Sequence, residues 1–539
     1  MIPATMDTLV APATTASATP EKPHRWFLAL VIAIVLAGCA VRLTNLGNKF
    51  YWADECSTSV WACGYPISDV RKVYSDGHVF KAQDLERFQH VNPDRNWTHT
   101  ISYLVPDAKH PPGYFVLAHW WARLVGSDPA HMRLLSALLS LLAFPAIYWL
   151  CFELFGSTMV AALSMVLVAV SPLDFMWAQE ARAYSLWTVF ILTFCASLER
   201  AMRRRKLFDW MICCSALVLS FYTHLLSLLV GFSQTLQAVI TAGGSRIRAA
   251  SQCLSVLCLA VFAFSPWLFV LQANLSSTLK SWHWVERKVS LDHLFNRWTQ
   301  QCSLLFCDFN LSLDNPLDII LRSLVVVLEL YAVYFLWRRG ERKAFWFVIS
   351  LILSTSTPLL FQDLIHGGVR SLNPRYLIPC WIGIQLAVSY LLACQITATN
   401  WIKRTVWSVI AGALILAGGA SCIRSCQSAV WWNKFDGPEA LRVAEQVNRV
   451  DSPLLLCSKS FAISPGRFLS LARLLGPNVS LAVVSDPEAM KAADGFNHVF
   501  LLHMPGSVIA CFRGPANFTL EQDAELGDQL WIAERCPRP

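Results

Sequence analysis

The sequence predicts an all-α polytopic membrane protein with about eleven transmembrane helices, followed by a small C-terminal α/β domain. The composition indicates the membrane, because 55% of the 539 residues are hydrophobic and 15% are charged. The apolar residues also gather in runs of about 20, the length that crosses a bilayer. The segment 431–539 is different, since it alternates helix-like with strand-like runs, and it therefore predicts the added domain.

The transmembrane helices are predicted from the apolar runs, and totals between about 10 and 13 are compatible with the pattern. A helix of this kind needs a nearly continuous apolar stretch, so short polar turns separate neighbouring spans. The eleven predicted spans are 26–41, 134–152, 158–176, 183–198, 208–222, 225–240, 253–271, 317–337, 344–361, 376–394 and 406–422.

The apolar segment 113–126 is shorter and carries His119 and Arg123 among its tryptophans, so it is predicted to be an interfacial helix. With this segment outside the membrane, the basic short loops all fall on one side, which the positive-inside rule assigns to the cytoplasm. The sequence thus predicts a multi-pass protein of the plasma (inner) membrane. The basic residues concerned are Lys22, Arg25, Arg200, Arg203, Arg204, Arg205, Lys206, Arg246, Arg248, Arg338, Arg339, Arg342, Lys343, Lys403 and Arg404.

Three regions follow from this topology. Residues 1–25 are rich in Ala, Thr and Pro and are predicted to be a disordered cytoplasmic N-terminus. Residues 26–430 are predicted to form the membrane domain, with an external loop at 44–133. Residues 431–539 are predicted to form an extracytoplasmic α/β domain. The net charge of +8 comes from the short loops, so no nucleic-acid partner is predicted. The cysteines form no C-x-x-C pair that would indicate zinc.

Three polar clusters share the predicted extracytoplasmic face: Y-W-A-D-E at 51–55, K-H-P-P-G-Y at 109–114 and Q-E-A-R-A-Y at 179–184. Ionisable side chains are costly beside hydrocarbon. Where they collect next to apolar spans they indicate a substrate path or a catalytic cleft.

In these residues the chain resembles the polytopic C-type glycosyltransferases that use polyprenyl-phosphate sugars, among them protein O-mannosyltransferases, aminoarabinose transferases of lipid A and rhizobial lipopolysaccharide core transferases. The resemblance implies the C-type fold, with juxtamembrane helices in the first external loop. The ordered motifs that carry it are Asp54-Glu55, H-P-P-G-Y at 110–114, R-L-L-S-A-L-L at 133–139, L-F-G at 154–156, S-P at 171–172, Q-E-A-R-A-Y-S at 179–185 and R-Y-L-I-P at 375–379.

The resemblance implies that the chain transfers a hexose or pentose from a polyprenyl phosphate to an unknown acceptor, with inversion at the anomeric carbon. The acceptor can be a lipid, a polysaccharide or a protein. Asp54 matches the catalytic Asp of the family and is predicted to be the base for the acceptor proton; a role as a helix cap or turn residue stays open. Arg375, at the outer end of the tenth span, is predicted to hold the leaving phosphate through its bidentate guanidinium.

The same motifs imply the other substrate-binding residues. Glu180 is predicted to bind acceptor or sugar and Arg182 phosphate, with a local ion pair left open for both. His110 is a phosphate donor, a metal ligand or an interfacial histidine, and a divalent metal stays possible without an evident ligand cluster. The full implied set is Glu55, Lys109, His110, Tyr114, Glu180, Arg182, Tyr184, Arg370, Arg375 and Tyr376.

Two other classes of function remain open at this stage. The first is a transporter or flippase for lipid or glycolipid, a class that often shows inverted repeats and ionisable groups at the bilayer midplane. Glu329 is the acidic residue found deep in a predicted span, and no internal repeat is evident. The second is a scaffold that presents the tail domain. Sugar transfer that is lost in an Asp54→Asn variant would separate the enzyme from both.

Overall fold

The protein is a bundle of long apolar helices with a mixed sheet at one end. The computed structural model describes residues 25–75, 77–242, 246–280, 282–485, 488–513 and 518–536. The predicted disordered N-terminus, 1–25, lies outside them except for Arg25. The α-helices are α1 Arg25–Leu43, α2 Ala53–Ala62, α3 Ile67–Lys72, α4 Trp97–Leu104, α5 Gly113–Leu124, α6 Pro129–Leu141, α7 Ala143–Phe155, α8 Thr158–Val170, α9 Pro172–Ala178, α10 Tyr184–Arg204, α11 Leu207–Thr223, α12 Ser227–Thr241, α13 Arg246–Ala273, α14 Leu275–Lys280, α15 Leu291–Leu304, α16 Pro316–Arg339, α17 Arg342–His366, α18 Ile378–Ile396, α19 Trp401–Gln427, α20 Gly437–Val447, α21 Pro465–Ala472, α22 Ala489–Ala492 and α23 Gly506–Arg513.

Eight helices in the described part of the chain are long and apolar enough to cross a membrane, and each coincides with a predicted span. The mostly helical, multi-pass architecture is therefore confirmed. Helices α11 and α12 match the fifth and sixth predicted spans, but at 17 and 15 residues they are shorter than the others. The eight are Arg25–Leu43, Pro129–Phe155, Tyr184–Arg204, Ile247–Ala273, Pro316–Arg339, Arg342–His366, Pro374–Ile396 and Trp401–Gln427.

The third predicted span, 158–176, is not one straight helix. Helices α8 and α9 meet at an angle of 62°, and at most they count as a ninth, bent span. The break falls at Ser171-Pro172, because proline lacks an N–H and disfavours the helical conformation of the residue before it. Arg42 donates hydrogen bonds to the carbonyls of Val168 (2.6 Å) and Ala169 (3.1 Å), which the end of α8 leaves unpaired.

The predicted interfacial segment forms α5, which at 12 residues is too short to cross a bilayer. The buried His119 of α5 donates from Nδ1 to the carbonyl oxygen of Ala62 at the end of α2, at 2.8 Å. Arg123 donates to backbone carbonyls of Asn92 and Pro93 in the external loop. This helix therefore lies beneath the loop that follows the first span and supports α2.

The basic short loops meet at the opposite end of the bundle. Lys343 at the start of α17 contacts buried Glu199 near the end of α10, with 2.5 Å between Nζ and Oε2. Arg200 contacts Asp209 at the start of α11 at 3.0 Å, and Arg203 pairs with Glu153 at the end of α7. The predicted alternation of spans requires these helix ends to share one face, and the ion pairs place them together.

The tail folds into a six-stranded sheet of order β1-β3-β2-β4-β6-β5. Strands β3, β2 and β4 are parallel, while β1, β6 and β5 pair antiparallel with their neighbours. The edge strand β1 comes from the first external loop, so the loop and the tail share one sheet. The strands are β1 Phe80–Lys81, β2 Leu454–Ser458, β3 Ser480–Val484, β4 His498–Leu502, β5 Phe518–Asp523 and β6 Gly527–Arg535.

A shared hydrophobic core fixes the tail to the external loop as well. Phe80, Phe468 and Leu481 lie in one buried cluster with residues of α2. Helix α21 packs so closely on α2 that a Cβ built at Gly466 would lie 2.3 Å from the Ala53 carbonyl oxygen. Because Ala53 precedes Asp54, the tail domain holds the chain directly beside the predicted base.

Candidate active site

Three predicted site residues from separate motifs meet at the end of the bundle that carries the sheet. Asp54 lies in the first turn of α2, and its side chain is 33% exposed. Arg375 lies in the short 3₁₀ helix Pro374–Leu377 that opens α18, with 2.7 Å between its Nη1 and Oδ2 of Asp54. Arg182 comes from the turn between α9 and α10, with 3.9 Å between Nη2 and the same oxygen.

The guanidinium of Arg375 is set in an aromatic cage. Its central carbon lies 5.6 Å from the ring centre of Trp52, 5.9 Å from that of Tyr184 and 5.5 Å from that of Tyr376. Arg375 Nε and Trp52 Nε1 are buried and have no hydrogen-bond partner among the described residues. An unsatisfied buried donor costs about 1–3 kcal/mol, so this pair of donors suits an anionic ligand.

Arg182 positions the first turns of α2. It donates to the carbonyl of Asp54 at 3.3 Å and to the hydroxyl of Thr58 at 3.1 Å. Its guanidinium also faces Phe115 and Tyr184, at 6.0 and 5.9 Å from their ring centres. The side chain therefore combines a positive charge at the cleft with a fixed orientation.

The two guanidiniums control the charge of Asp54. Burial acts to raise the pKa of Asp54, but Arg182 and Arg375 together outweigh it, so the pKa is lowered from its ordinary value of 3.8. Burial, followed by the charge of Arg182, lowers the pKa of His224 to about 3 and that of His110 well below its ordinary value. The cleft thus holds an ionised Asp54 beside two neutral histidines.

Glu55 points away from Asp54, as consecutive helical residues do, into a fully buried ion network. Arg133 donates to both of its oxygens at 2.7 Å, and Lys434 Nζ lies 2.7 Å from Oε2. The backbone N–H of Ala181 donates to it at 3.0 Å. Burial acts to raise the pKa of Glu55, but Arg133 and then Lys434 reverse the effect and lower the pKa to about 2.

Residues 431–434, called here the strap, link the membrane domain to the tail and cross this network. The indoles of Trp431 and Trp432 both donate to Oδ2 of Asp308 at 2.7 Å. The next residue, Asn433, donates through its amide to Glu180. Lys434 then completes the contact with Glu55. The strap therefore ties the first and third polar clusters to the end of the membrane domain that carries the sheet.

Sequence reasoning did not single out three of these residues. Arg133 appeared within a motif without a role, although an arginine in the first turn of an apolar span is itself a signal. It also donates to the carbonyls of Leu46, Lys49 and Phe50, which shapes the chain before Asp54. Asn433 and Lys434 follow a pair of tryptophans at a domain junction, and nothing local in the sequence indicates their partners.

The other predicted site residues divide into two groups. Lys109 and His110 line the cleft near Arg182, and both face Asp107, at 3.1 and 3.6 Å. Tyr114 is fully buried, with 2.8 Å between its hydroxyl and that of Ser136. It therefore contacts the protein and not the open cleft.

Arg370 is placed differently from Arg375. Its Nη1 lies 3.3 Å from Oδ1 of buried Asp363, which also accepts the Arg370 backbone N–H at 3.1 Å. Glu286 lies at 4.0 Å. The contacts found for Arg370 within the described residues are with this second cluster, and none of them is with Asp54.

No group of three or more described His, Cys, Asp and Glu side chains is placed to hold a metal ion. The anionic groups near Asp54 are instead matched by fixed cations, namely Arg182, Arg375, Arg133 and Lys434. Of these cations, Arg182 and Arg375 lie at Asp54 and can supply the positive charge that a leaving phosphate needs.

The family model found by comparison with known proteins includes Arg182 but neither Asp54 nor Arg375. Residues 109–269 match the family model described as dolichyl-phosphate-mannose-protein mannosyltransferase. No curated protein matches the sequence. Among solved structures, ArnT from Cupriavidus metallidurans in the apo state matches with a TM-score of 0.53 at 13% identity, over 94% of this chain and 97% of that one.

The chain has the fold of the C-type glycosyltransferases. The resemblance inferred from the ordered motifs is thereby confirmed. A second structure of ArnT, bound to undecaprenyl phosphate, matches with a TM-score of 0.52 at 12% identity, over 95% of this chain and 98% of that one. Archaeal oligosaccharyltransferase AglB from Archaeoglobus fulgidus matches more loosely, with a TM-score of 0.49 at 11% identity, over 95% of this chain and 74% of that one. Identities this low establish the fold, and the roles of individual residues rest on the geometry of this chain.

Proposed function

We propose that this protein is an inverting glycosyltransferase that moves a sugar from a polyprenyl phosphate to an extracytoplasmic acceptor. The observation that carries the proposal is the contact between Asp54 and Arg375, at 2.7 Å, at the outer end of a membrane bundle. It sets a carboxylate beside a guanidinium that still has a buried, unpaired N–H. A base and a phosphate site side by side are what inverting transfer from a lipid phosphate requires.

In the proposed step, Asp54 acts as the base and the two arginines bind the leaving phosphate. Asp54 accepts the proton of an acceptor hydroxyl or amine as that atom attacks the anomeric carbon of the donor sugar. The bond between the anomeric carbon and the phosphate oxygen breaks, and polyprenyl phosphate leaves with one additional negative charge. Arg375 and Arg182 stabilise that charge through N–H donors already held in place. The rings of Tyr184 and Tyr376 flank the guanidinium of Arg375.

The class of donor is supported by the relatives. The matching family model is named for dolichyl-phosphate-mannose, and one ArnT structure is bound to undecaprenyl phosphate. Both ligands are polyprenyl phosphates. A donor with its tail in the bilayer would present its phosphate at the level where Arg375 opens α18.

The proposed orientation places the cleft and the tail domain outside the cytoplasm, in the plasma (inner) membrane. Arg200, Arg203 and Lys343 form ion pairs at the end of the bundle opposite Asp54. Loops rich in Lys and Arg are retained on the cytoplasmic side. The face that carries Asp54 is then the extracytoplasmic one.

The pH dependence of transfer is expected to change in an Arg182→Gln variant. Asp54 must be ionised to act as base, so activity falls as the pH drops through its pKa. Because Arg182 and Arg375 hold that pKa below 3.8 in the free protein, the acidic limb of kcat/KM is expected to lie below about pH 4 in the wild type. Without Arg182 a large part of the opposition to burial is lost, so the limb is expected to move to higher pH.

The measurement is kcat/KM against pH for the wild type and for Arg182→Gln, with exposed Arg71→Gln as a matched control. Arg71→Gln is expected to keep the wild-type profile. An acidic limb at the same pH in all three proteins would show that Asp54 does not titrate in the reaction under the influence of Arg182.

The function is tested with purified protein in detergent. Transfer of a labelled sugar from a polyprenyl phosphate to an acceptor extract, with release of polyprenyl phosphate, is the expected result. Translocation of the same lipid across vesicles without any transfer would instead support a flippase. The result that overturns the proposal is the absence of transfer with every polyprenyl-phosphate sugar offered, in protein shown to be folded.

A further inference from the structure

A cavity of about 350 Å³ lies at the outer ends of α15 and α16, apart from Asp54 and Arg375. Ligand sites in proteins have volumes of roughly 300–1,000 Å³, and one or two sugar rings are compatible with this size. Its walls are α15, the segment that joins α15 to α16, and the strap. The lining residues used below are Arg297, Asn310, Leu311, Asp314, Asp318 and Trp432.

The wall shared with the strap is fixed by hydrogen bonds. Buried Asp308 accepts from both strap indoles at 2.7 Å and from the backbone N–H of Asn310 at 3.0 Å. The N–H of Asp308 in turn donates to the hydroxyl of Ser421 in α19 at 2.9 Å. These hydrogen bonds hold the wall of the cavity in place, and half-buried Trp432 forms one side of it.

The strap also sets the position of the cavity relative to the candidate active site. Trp432 lines the cavity, and the residue after it, Asn433, contacts Glu180 through its amide. Consecutive Cα atoms are about 3.8 Å apart. A ligand against Trp432 is thus separated from the third polar motif by a single residue of the strap.

The lining groups define the class of ligand. The cavity carries the carboxylates of Asp308, Asp314 and Asp318 against the guanidinium of Arg297. Arg322 also lies 3.8 Å from Asp318, which leaves an excess of negative charge that disfavours an anion. The Asp314 carboxylate and the side-chain amide of Asn310 have no partner among the described residues, and they are free to bind hydroxyl or amine groups. No three described side chains converge as metal ligands would. Hydrogen-bonding groups beside an indole are suited to a polyhydroxylated ring, since tryptophan offers an apolar face.

We propose that this cavity is a saccharide subsite for a neutral or amine-bearing sugar and that it holds part of the acceptor. The second half of the proposal rests on the proposed glycosyltransferase function, because an acceptor exists only if transfer occurs. The subsite would narrow the range of acceptors for the proposed transferase, because it would exclude acceptors whose nearest sugar is a uronic acid.

Binding of free sugars to the purified full-length protein tests the subsite. Glucosamine and glucuronate serve as probes, and saturation-transfer NMR in detergent detects weak binding. Saturable binding of glucosamine and none of glucuronate is expected. Asp314→Asn is expected to weaken glucosamine binding about three- to five-fold, the size of one exposed charge contact. Asp292→Asn, the same change on α15 outside the cavity, is expected to have no effect.

A second variant separates loss of charge from loss of space. Leu311→Trp narrows the cavity and is expected to abolish glucosamine binding while the melting temperature stays within a few degrees of the wild type. Equal binding of both sugars, or binding unaffected by both cavity variants, would overturn the subsite. Glucosamine binding in protein that shows no transfer would leave the subsite intact and reject the proposed enzyme. Sugar transfer without saccharide binding would support the proposed enzyme and overturn the subsite.

Discussion

An Asp54→Asn variant is expected to lose sugar transfer by roughly 10²- to 10⁴-fold in kcat, the range that a positioned general base contributes. Asparagine keeps the shape of the side chain and can still accept the hydrogen bond from Arg375 Nη1. It cannot take the acceptor proton. The loss should therefore appear in kcat, with the KM for the polyprenyl-phosphate sugar changed far less.

A matched control exists in the same external loop. Asp94 is exposed, and Asp94→Asn makes the same chemical change away from the cleft. Transfer by Asp94→Asn is expected to equal that of the wild type. If folded Asp54→Asn retained kcat within about two-fold, a change worth roughly 0.4 kcal/mol in the barrier, Asp54 would not be the base.

A Glu55→Ala variant is expected to destabilise the protein by about 3–5 kcal/mol, the usual effect of leaving buried charges without their partner. Arg133 and Lys434 would remain buried, with exposed fractions of 0% and 1%, after the carboxylate between them is removed. The external loop, the strap and the turn at Ala181 would lose their common contact. The measurement is the apparent melting temperature in detergent.

Exposed Glu86→Ala is the control for this variant, with an expected change of less than about 0.5 kcal/mol. The pH dependence gives a second check. Arg133 and Lys434 hold the pKa of Glu55 at about 2, below its ordinary 4.5, so its contribution is complete above pH 4.5 and is lost as the pH falls towards 2. The difference in melting temperature should narrow over that interval. A constant difference would mean that packing, and not charge, explains the loss.

The membrane part of the fold could be predicted from the sequence because each span carries its own signal. Apolar length locates helices such as α16 and α19, and the basic residues at their ends indicate which face they share. The bend between α8 and α9 was not predicted, although Ser171-Pro172 is one of the motifs that carry the resemblance. A proline near the end of an apolar run is compatible with a straight or a bent span, and the cap provided by Arg42 is a contact over 126 residues.

In the tail domain, local sequence patterns predict individual elements but not how they pair. Strands β2, β3 and β4 and helices α20 and α21 lie in the segment 431–539, which was predicted to alternate helix-like with strand-like runs. The pairing of β1 with β3 was not predictable, because a two-residue strand at Phe80–Lys81 has no pattern of its own. Its position depends on a sheet formed from residues almost 400 positions later.

Some residues of the candidate active site could be predicted from local motifs, and others could not. Asp54 and Arg375 belong to motifs with recognisable neighbours, so their proximity could be predicted from the order of those motifs. Lys434 and Asn433 could not, since their partners Glu55 and Glu180 are distant in sequence. Arg370 and Arg375 are equivalent candidates by charge. They differ because Asp363, in the last turns of α17, pairs with Arg370.

The proposed function requires Asp54 and Arg375 to lie on either side of a lipid-phosphate headgroup. A structure of the protein with a polyprenyl phosphate in lipid nanodiscs tests it most directly. We expect phosphate oxygens at about 2.7–3.2 Å from the guanidiniums of Arg375 and Arg182, with the Asp54 carboxylate released from its contact with Arg375 and facing the position of the sugar. A phosphate bound elsewhere, with the Asp54–Arg375 pair unchanged at 2.7 Å, would contradict it.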